Sequence, residues 1–283
     1  MLDTAKPNMS TSQFKDFACG CELAAYKKHV TREYKEPDKK VFIIGRFIHA
    51  YFEGKPSFEA FIDKHHDELH TKKGDLYADF QLAQNNARQA EKIKSFMALF
   101  QGTPEVEYRV EMFGVEWLIR VDNINLEKKF FTDLKYVKSL GYDWMNLYYS
   151  QLGRESRRRN SEHTLERRKC VPFYEASNYW VQMAIYQKVL SIATGEKFLP
   201  MIGAISKETP PDIGIFAFDN EDRIKKELAF IESSMPRITA LKNGEVEPEP
   251  CGMCEVCREH NIITGKVPMM KAESHFMTLK KED

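Results

Sequence analysis

A chain of 283 residues, 42% hydrophobic and 30% charged, can build one large domain or a domain with an appendage, around a core of useful size. Its 42 basic and 42 acidic side chains cancel, so no global positive field announces a nucleic acid, and any such contact must use local patches. Mean hydropathy is -0.51, no apolar run approaches the roughly 20 residues of a membrane span, and no basic-then-apolar leader opens the chain; a soluble cytoplasmic protein with no membrane partner is expected.

The first segment, residues 9–30, places Ser10 or Ser12 as a cap before an amphipathic helix bearing Phe14, Phe17, Cys21, Ala24 and Ala25. Residues 41–54, VFIIGRFIHAYFEG, read as a second helix that stops at Gly54 with Pro56 beyond. Gly45, His49 and Glu53 recur every four residues on one face of it, and Ile44, Ile48 and Phe52 on another. A small residue, an imidazole and a carboxylate on one stripe suit a metal site, although a lone helical histidine is more often structural and the face counts only in combination. Residues 57–100 read as helical scaffold, with an apolar stripe of Ala83, Ala87, Ala90, Ile93 and Met97.

Residues 105–114, EVEYRVEMFG, alternate as a strand that carries Glu111. Two more strands complete a meander within residues 114–139. In the first, Trp117, Ile119 and Val121 alternate with Leu118, Arg120 and Asp122, so that Asp122 ends it; Asn123–Lys128 turn the chain, and Lys129–Lys138 run extended again. Side-chain alternation puts Asp133 and Lys135 on one face and Thr132 and Leu134 on the other. Two carboxylates can hold Mg²⁺ against a scissile phosphate while a lysine orients water and offsets charge. Alone, an Asp-x-Lys in so charged a chain reads first as a solvated hairpin with surface charges.

Between 140 and 173 regular patterning lapses. Trp144, Tyr148 and Tyr149 precede a run in which Arg154, Arg157, Arg158, Arg159, Arg167, Arg168 and Lys169 outnumber the acids. Aromatic groups beside arginines suit a loop that grips phosphates and stacks on bases at a DNA end; a solvated insertion is the other reading. A helix follows to Gly195, with Gln182 and Tyr186 four apart on one face and Trp180, Ala184, Val189 and Leu190 facing inward. Strands near 199–208 and 212–219 and a charged helix from Glu221 to Leu241 lead to the cysteines. The six cysteines stand at 19, 21, 170, 251, 254 and 257; three at C-x2-C-x2-C spacing in a cytosolic chain read as metal ligands before disulfides.

Taken together, G-x-x-x-H-A-x-F-E-G (45–54), G-x-x-W-x-x-x-x-D (114–122), D-L-K-x-V-K-S (133–139), Gln182-x-x-x-Tyr186 and C-G-x-C-x-x-C (251–257) resemble the PD-(D/E)xK nuclease superfamily. The likeness is to its branch of RecB-type domains, lambda exonuclease and exodeoxyribonuclease VIII, and most of all to phage-type RecE-like nucleases. It covers nearly the whole chain, with Val121 where the superfamily's name has proline. It implies an α/β fold, a mixed central sheet flanked by helices, arranged as an N-terminal helical segment packing on the core (1–40), a nuclease core (41–243) with a basic insertion (140–173), and a cysteine-containing tail (244–283).

By this resemblance His49, Asp122, Asp133 and the backbone carbonyl of Leu134 would ligate Mg²⁺ or Mn²⁺. Asp122, Asp133, Lys135, Gln182 and Tyr186 would be catalytic, with Glu53 and Glu111 as weaker candidates for a second metal or a supporting role. The implied reaction is metal-dependent hydrolysis of linear double-stranded DNA from its ends, 5′ to 3′, in phage-type recombination within a bacterial host's cytoplasm. A RecT-type annealing protein would be the partner, and a homo-oligomer would explain processivity. Cys251, Cys254 and Cys257 with Cys21, or Cys19 in its place, would hold a [4Fe-4S] cluster, with Zn²⁺ as the alternative. An endonuclease or single-strand-specific nuclease on the same core, and a non-catalytic DNA-binding recombination accessory, remain open at this point.

Overall fold

The structure, a computed structural model, describes residues 8–35, 40–146, 168–252 and 254–259. In chain order it contains β1 (Asn8–Ser10), α1 (Thr11–Cys19), α2 (Glu22–His29), α3 (Lys40–Glu53), α4 (Lys55–Lys64), α5 (His66–Leu69), α6 (Ala78–Glu91), α7 (Lys94–Met97) and a 3-10 turn. There follow β2 (Thr103–Met112), β3 (Val115–Asn125), β4 (Phe130–Val137), β5 (Tyr142–Asn146), β6 (Arg168–Pro172), α8 (Phe173–Ala176), α9 (Tyr179–Thr194), β7 (Leu199–Ser206), β8 (Ile213–Ala217), α10 (Glu221–Lys242) and α11 (Glu255–Arg258). No described helix is long and apolar enough to cross a membrane.

Two compact units can be distinguished. One comprises the described residues of Met1–Met9, Pro37–Met145 and Cys170–Phe230, the other those of Ser10–Glu36, Asn146–Lys169 and Ile231–Asp283.

In the first unit the sheet has the order β1-β3-β4-β7-β8, with β2 also paired to β3. It is mixed: β4 and β7 run parallel from Phe130↔Leu199 to Val137↔Ser206, while β2–β3, β3–β4 and β7–β8 are antiparallel. The parallel pair needs a crossover, and α9 lies within it. Strand alternation decides which helices cover which face. Leu134 and Ile205 join the apolar cluster of Phe47 and Ile48 from α3 and Phe80, Ala83 and Ala87 from α6. The residues on either side of Leu134 therefore point the other way, where Phe131 meets Tyr186 of α9. Helices thus lie on both faces of the sheet, and burial of side chains the size of Phe47 or Ile48 contributes about 1.5–3 kcal/mol each.

α3 ends where expected: Gly54 adopts φ +120°, and Pro56 opens α4. Ile93, assigned to the apolar stripe, is instead exposed, at the bend between α6 and α7. β3 does not end at Asp122 but continues to Asn125, because Asn123–Asn125 still pair with Phe130–Thr132. The irregular stretch after β4 contains a two-stranded sheet, β5–β6, that its sequence did not signal.

In the second unit the single helix expected over residues 9–30 is two. Ser10 caps α1, its hydroxyl accepting the Gln13 N–H at 3.2 Å. At Gly20 the chain turns away so closely that a Cβ there would fall 2.4 Å from the Asp16 carbonyl oxygen. α2 starts again beyond Cys21, and Asp16 ties the two together by accepting from Lys28 at 2.9 Å and meeting His29 at 2.7 Å. Arg237 of α10 grips Glu22 with two parallel hydrogen bonds, at 2.8 and 2.7 Å.

Candidate active site

The site lies where β3 and β4 part. Their pairing covers three residues on each strand, ending at Asn123↔Thr132, whereas β4 pairs with β7 over its whole length. Beyond that point the Asp122 side chain takes the place of a neighbouring strand: its Oδ2 accepts the Leu134 N–H at 2.7 Å. The opening admits groups from helices on both faces.

From α3, His49 brings Nδ1 to 3.4 Å from Asp122 Oδ2. From α9, the Gln182 amide donates to Asp133 Oδ1 at 2.6 Å, and Tyr186, one turn on, shares a hydrogen bond with Gln182. Lys135 Nζ lies 2.5 Å from Asp133 Oδ2 and 5.2 Å from the Tyr179 ring centre. Asp133 is 2% exposed, and its Oδ2 makes no directed hydrogen bond, only the close approach of the Lys135 charge.

A residue that the alternation of β2 concealed completes the group. Potential ligand atoms of His49, Glu105 and Asp122 all lie within 4.8 Å of one another. Glu105 sits opposite Asp122 in the β2–β3 register, between the pairs Pro104↔Asn123 and Val106↔Val121, yet drops out of the ladder itself. Its φ is +52°, a left-handed conformation that an ordinary L-residue adopts at a cost of about 1–2 kcal/mol. Strain of this kind, where it occurs, gathers at functional sites. The sequence offers Glu111 on this strand as a weaker candidate, but Glu111 faces Glu116 in the register, six residues and about 20 Å along the strand from Glu105. Glu111 therefore does not join the site. Glu53, one helical turn after His49, acts on Glu105 and Arg120 through its charge.

The electrostatics follow from this crowding. Burial opposes charge on His49, but the Asp122 carboxylate outweighs it and holds the imidazole above its ordinary value. Burial likewise opposes charge on Asp122; His49, Lys135 and the Leu134 N–H prevail and hold its carboxyl low. Burial drives Asp133 upward, with the Asp122 charge adding to it and Lys135 opposing. Lys135, although buried, is pushed up to about 12 by Asp133, so the proton of this pair stays on the amine. Burial, then Asp122, then Glu53 raise Glu105 to about 7. Burial keeps the Tyr186 phenol protonated well above its usual range.

A cation fits this donor set: an imidazole and two carboxylates lie together beside a backbone edge, and the neighbouring Asp133 Oδ2 lacks a directed hydrogen bond. In a strand, the N–H and C=O of one residue leave by the same edge, so the Leu134 carbonyl faces the opening that its N–H faces. The arginine-rich run does not enter this picture: Arg154, Arg157, Arg158, Arg159 and Arg167 lie outside the described residues, and Arg168 and Lys169 begin β6.

Residues 10–260 match the family described as a PDDEXK-like domain of unknown function (DUF3799). A crystal structure described as that of a "Putative exonuclease" from Eubacterium rectale superposes with a TM-score of 0.76 at 28% sequence identity, covering 93% of this chain and 92% of that one. No match was found among curated proteins.

Proposed function

The chain belongs to the PDDEXK-like family, and from that premise we propose that it is a metal-dependent exonuclease hydrolysing phosphodiester bonds of linear double-stranded DNA from its ends. The observation that carries the proposal is the convergence of Asp122, Asp133 and Lys135 with His49, Glu105 and Gln182 at the β3–β4 opening. The description of the Eubacterium rectale protein as an exonuclease supports attack at ends over internal cutting. The 5′ to 3′ polarity, a RecT-type annealing partner and a place in phage-type recombination follow from the RecE-like resemblance and belong to the same proposal.

His49, Asp122, Asp133, Glu105 and the Leu134 carbonyl would hold the cation, Mg²⁺ or Mn²⁺. When bound, it supplies the charge that acidifies water and draws a phosphate oxygen into place. Asp133 is aimed by Gln182, whose amide fixes one oxygen while Lys135 stands against the other. Lys135 keeps its proton, so it acts as a fixed positive charge that orients water and offsets charge developing on the phosphate, not as a base. Tyr186 remains a phenol and steadies Gln182. The basic run between β5 and β6 would track the duplex backbone.

The test is Mg²⁺-dependent release of label from an end-labelled linear duplex beside a covalently closed circle, using wild type and Asp133→Ala. Release from the linear duplex, a spared circle and an inert variant are expected; comparison of 5′ and 3′ labels gives the polarity. A circle cut as readily makes the enzyme an endonuclease. Full activity in Asp133→Ala refutes the site.

A further inference from the structure

Cys21, between α1 and α2, and Cys251, Cys254 and Cys257, at and just before α11, belong to one compact unit although Cys21 and Cys257 stand 236 positions apart. Their four Sγ atoms all lie within 4.8 Å of one another. Cys21 and Cys257 are separated by 3.6 Å and Cys251 and Cys257 by 3.8 Å. Cys21, Cys251 and Cys257 are buried together against Leu23 and Ala24. Cys19, on the last turn of α1, is not one of the four, and Cys170 is exposed.

The backbone is arranged to receive charge on these sulfurs. The Cys254 N–H donates to Cys251 Sγ at 3.2 Å. The Ala24 N–H serves Cys21 in the same way, and the Cys257 N–H serves Cys254. In each case the donor is three residues after the acceptor, which gives three turns of one kind. Gly252, at φ +71°, supplies the left-handed step within the first C-x2-C. Backbone N–H groups aimed at sulfur favour thiolates, and several thiolates buried in one spot need a cation among them.

We propose that Cys21, Cys251, Cys254 and Cys257 hold a single tetrahedral Zn²⁺ that joins the α1–α2 hairpin to the C-terminal cysteine segment. With Zn–S bonds of about 2.3 Å, tetrahedral geometry places the sulfurs about 3.8 Å apart, the spacing found between Cys251 and Cys257. A [4Fe-4S] cluster, which the resemblance put first, attaches each thiolate to a different iron at the corners of a cube. Its ligand sulfurs must therefore stand further apart than sulfurs sharing one ion, and the cluster does not fit here. Four protein ligands leave no open position, so the site is structural. It shares no residue with the nuclease site and does not depend on that reading.

The test is elemental and labile-sulfide analysis of the full chain, purified without oxygen or chelator and free of any metal-binding tag. One zinc per chain, no iron and no visible colour are expected, with intense thiolate-to-metal absorption after Co²⁺ exchange and stoichiometric zinc release on titration of the thiols with a mercurial. Cys21→Ser and Cys254→Ser should each lower zinc below one per chain, whereas Asp133→Asn should leave it unchanged. Iron and labile sulfide at about four each per chain would establish the cluster instead. A metal-free chain with freely titrating thiols would overturn both, and folded Cys21→Ser protein with full zinc would refute the ligand set.

Discussion

Glu105 offers a stability test that does not depend on catalysis. Its carboxyl has an ordinary value of 4.5 and is raised to about 7 in the fold by burial and by the charges of Asp122 and Glu53. Below about pH 4.5 both folded and unfolded chains carry it protonated, and it costs nothing. As pH rises toward 7 the unfolded chain ionises first, so folding is increasingly disfavoured; above 7 the penalty is constant. At about 1.4 kcal/mol per pKa unit the full penalty is about 3 kcal/mol. The side chain keeps 29% of its exposure, and solvent screening reduces the effect to about 1–2 kcal/mol. The metal-free Glu105→Gln variant should therefore melt about 4 °C above wild type at pH 8 and level with it near pH 4.5. Saturating Mg²⁺ should narrow the gap by stabilising wild type more. Glu105→Gly should gain a further 1 kcal/mol or so by relieving the left-handed backbone. A metal-free Glu105→Gln that melts at or below wild type at pH 8 would refute the claim that Glu105 is held as a crowded, frustrated anion.

Cation affinity at the same site, measured by calorimetry with Mg²⁺ or Mn²⁺, should strengthen from pH 6 to 8, because protons on His49 and Glu105 must leave, each contributing up to about tenfold per pH unit below its own pKa; pH-independent affinity would contradict this. Gln182→Ala should lower kcat by about ten- to a hundredfold with KM little changed, through loss of the hydrogen bond that aims Asp133. Gly102→Ala should cost about 1–3 kcal/mol in denaturant melts, because its Cβ would fall 2.2 Å from the Ile124 carbonyl oxygen. Replacing Arg157, Arg158 and Arg159 with Gln should flatten the salt dependence of DNA binding by up to about three in the log–log slope if each contacts a phosphate; an unchanged slope would remove the run from the interface.

What the sequence made legible is what side-chain period encodes. Trp117, Ile119 and Val121 announced a buried strand face and are buried, and Asp133-x-Lys135 put a carboxylate and an amine on one side of the next strand, where they pair. The four-residue spacing of Gln182 and Tyr186 placed both on the helix face that meets Asp133. Period says nothing of register or of backbone sign. Glu105 and Glu111 have the same parity in EVEYRVEM, and only the pairing of β2 with β3 shows that Glu105, preceded by Pro104, faces Asp122. Its positive φ leaves no trace in composition. The break at Gly20 has a similar cause: the apolar spacing runs on through it, and the turn is marked only by a glycine where a Cβ would strike the Asp16 carbonyl oxygen. That break separates Cys19 from Cys21 and so selects the ligand.

The site's chemistry originates in incomplete backbone pairing. Buried strand edges are normally satisfied by another strand, yet β4 beyond Thr132 has its partner on one edge only, β7. Asp122 repairs half the deficit by accepting the Leu134 N–H, and in doing so is fixed at the opening with a carboxylate beside His49 and Glu105. The other half, an acceptor edge, is left facing those same carboxylates. His49, Arg120 and Lys135 offset these acceptors in part; under the proposed function a cation would complete them, which would tie the stability of this part of the sheet to the ion that catalysis needs. The same deficit explains why the two helices that flank the sheet on opposite faces, α3 and α9, can both reach one locus: a continuous ladder between β3 and β4 would have kept His49 and Gln182 apart.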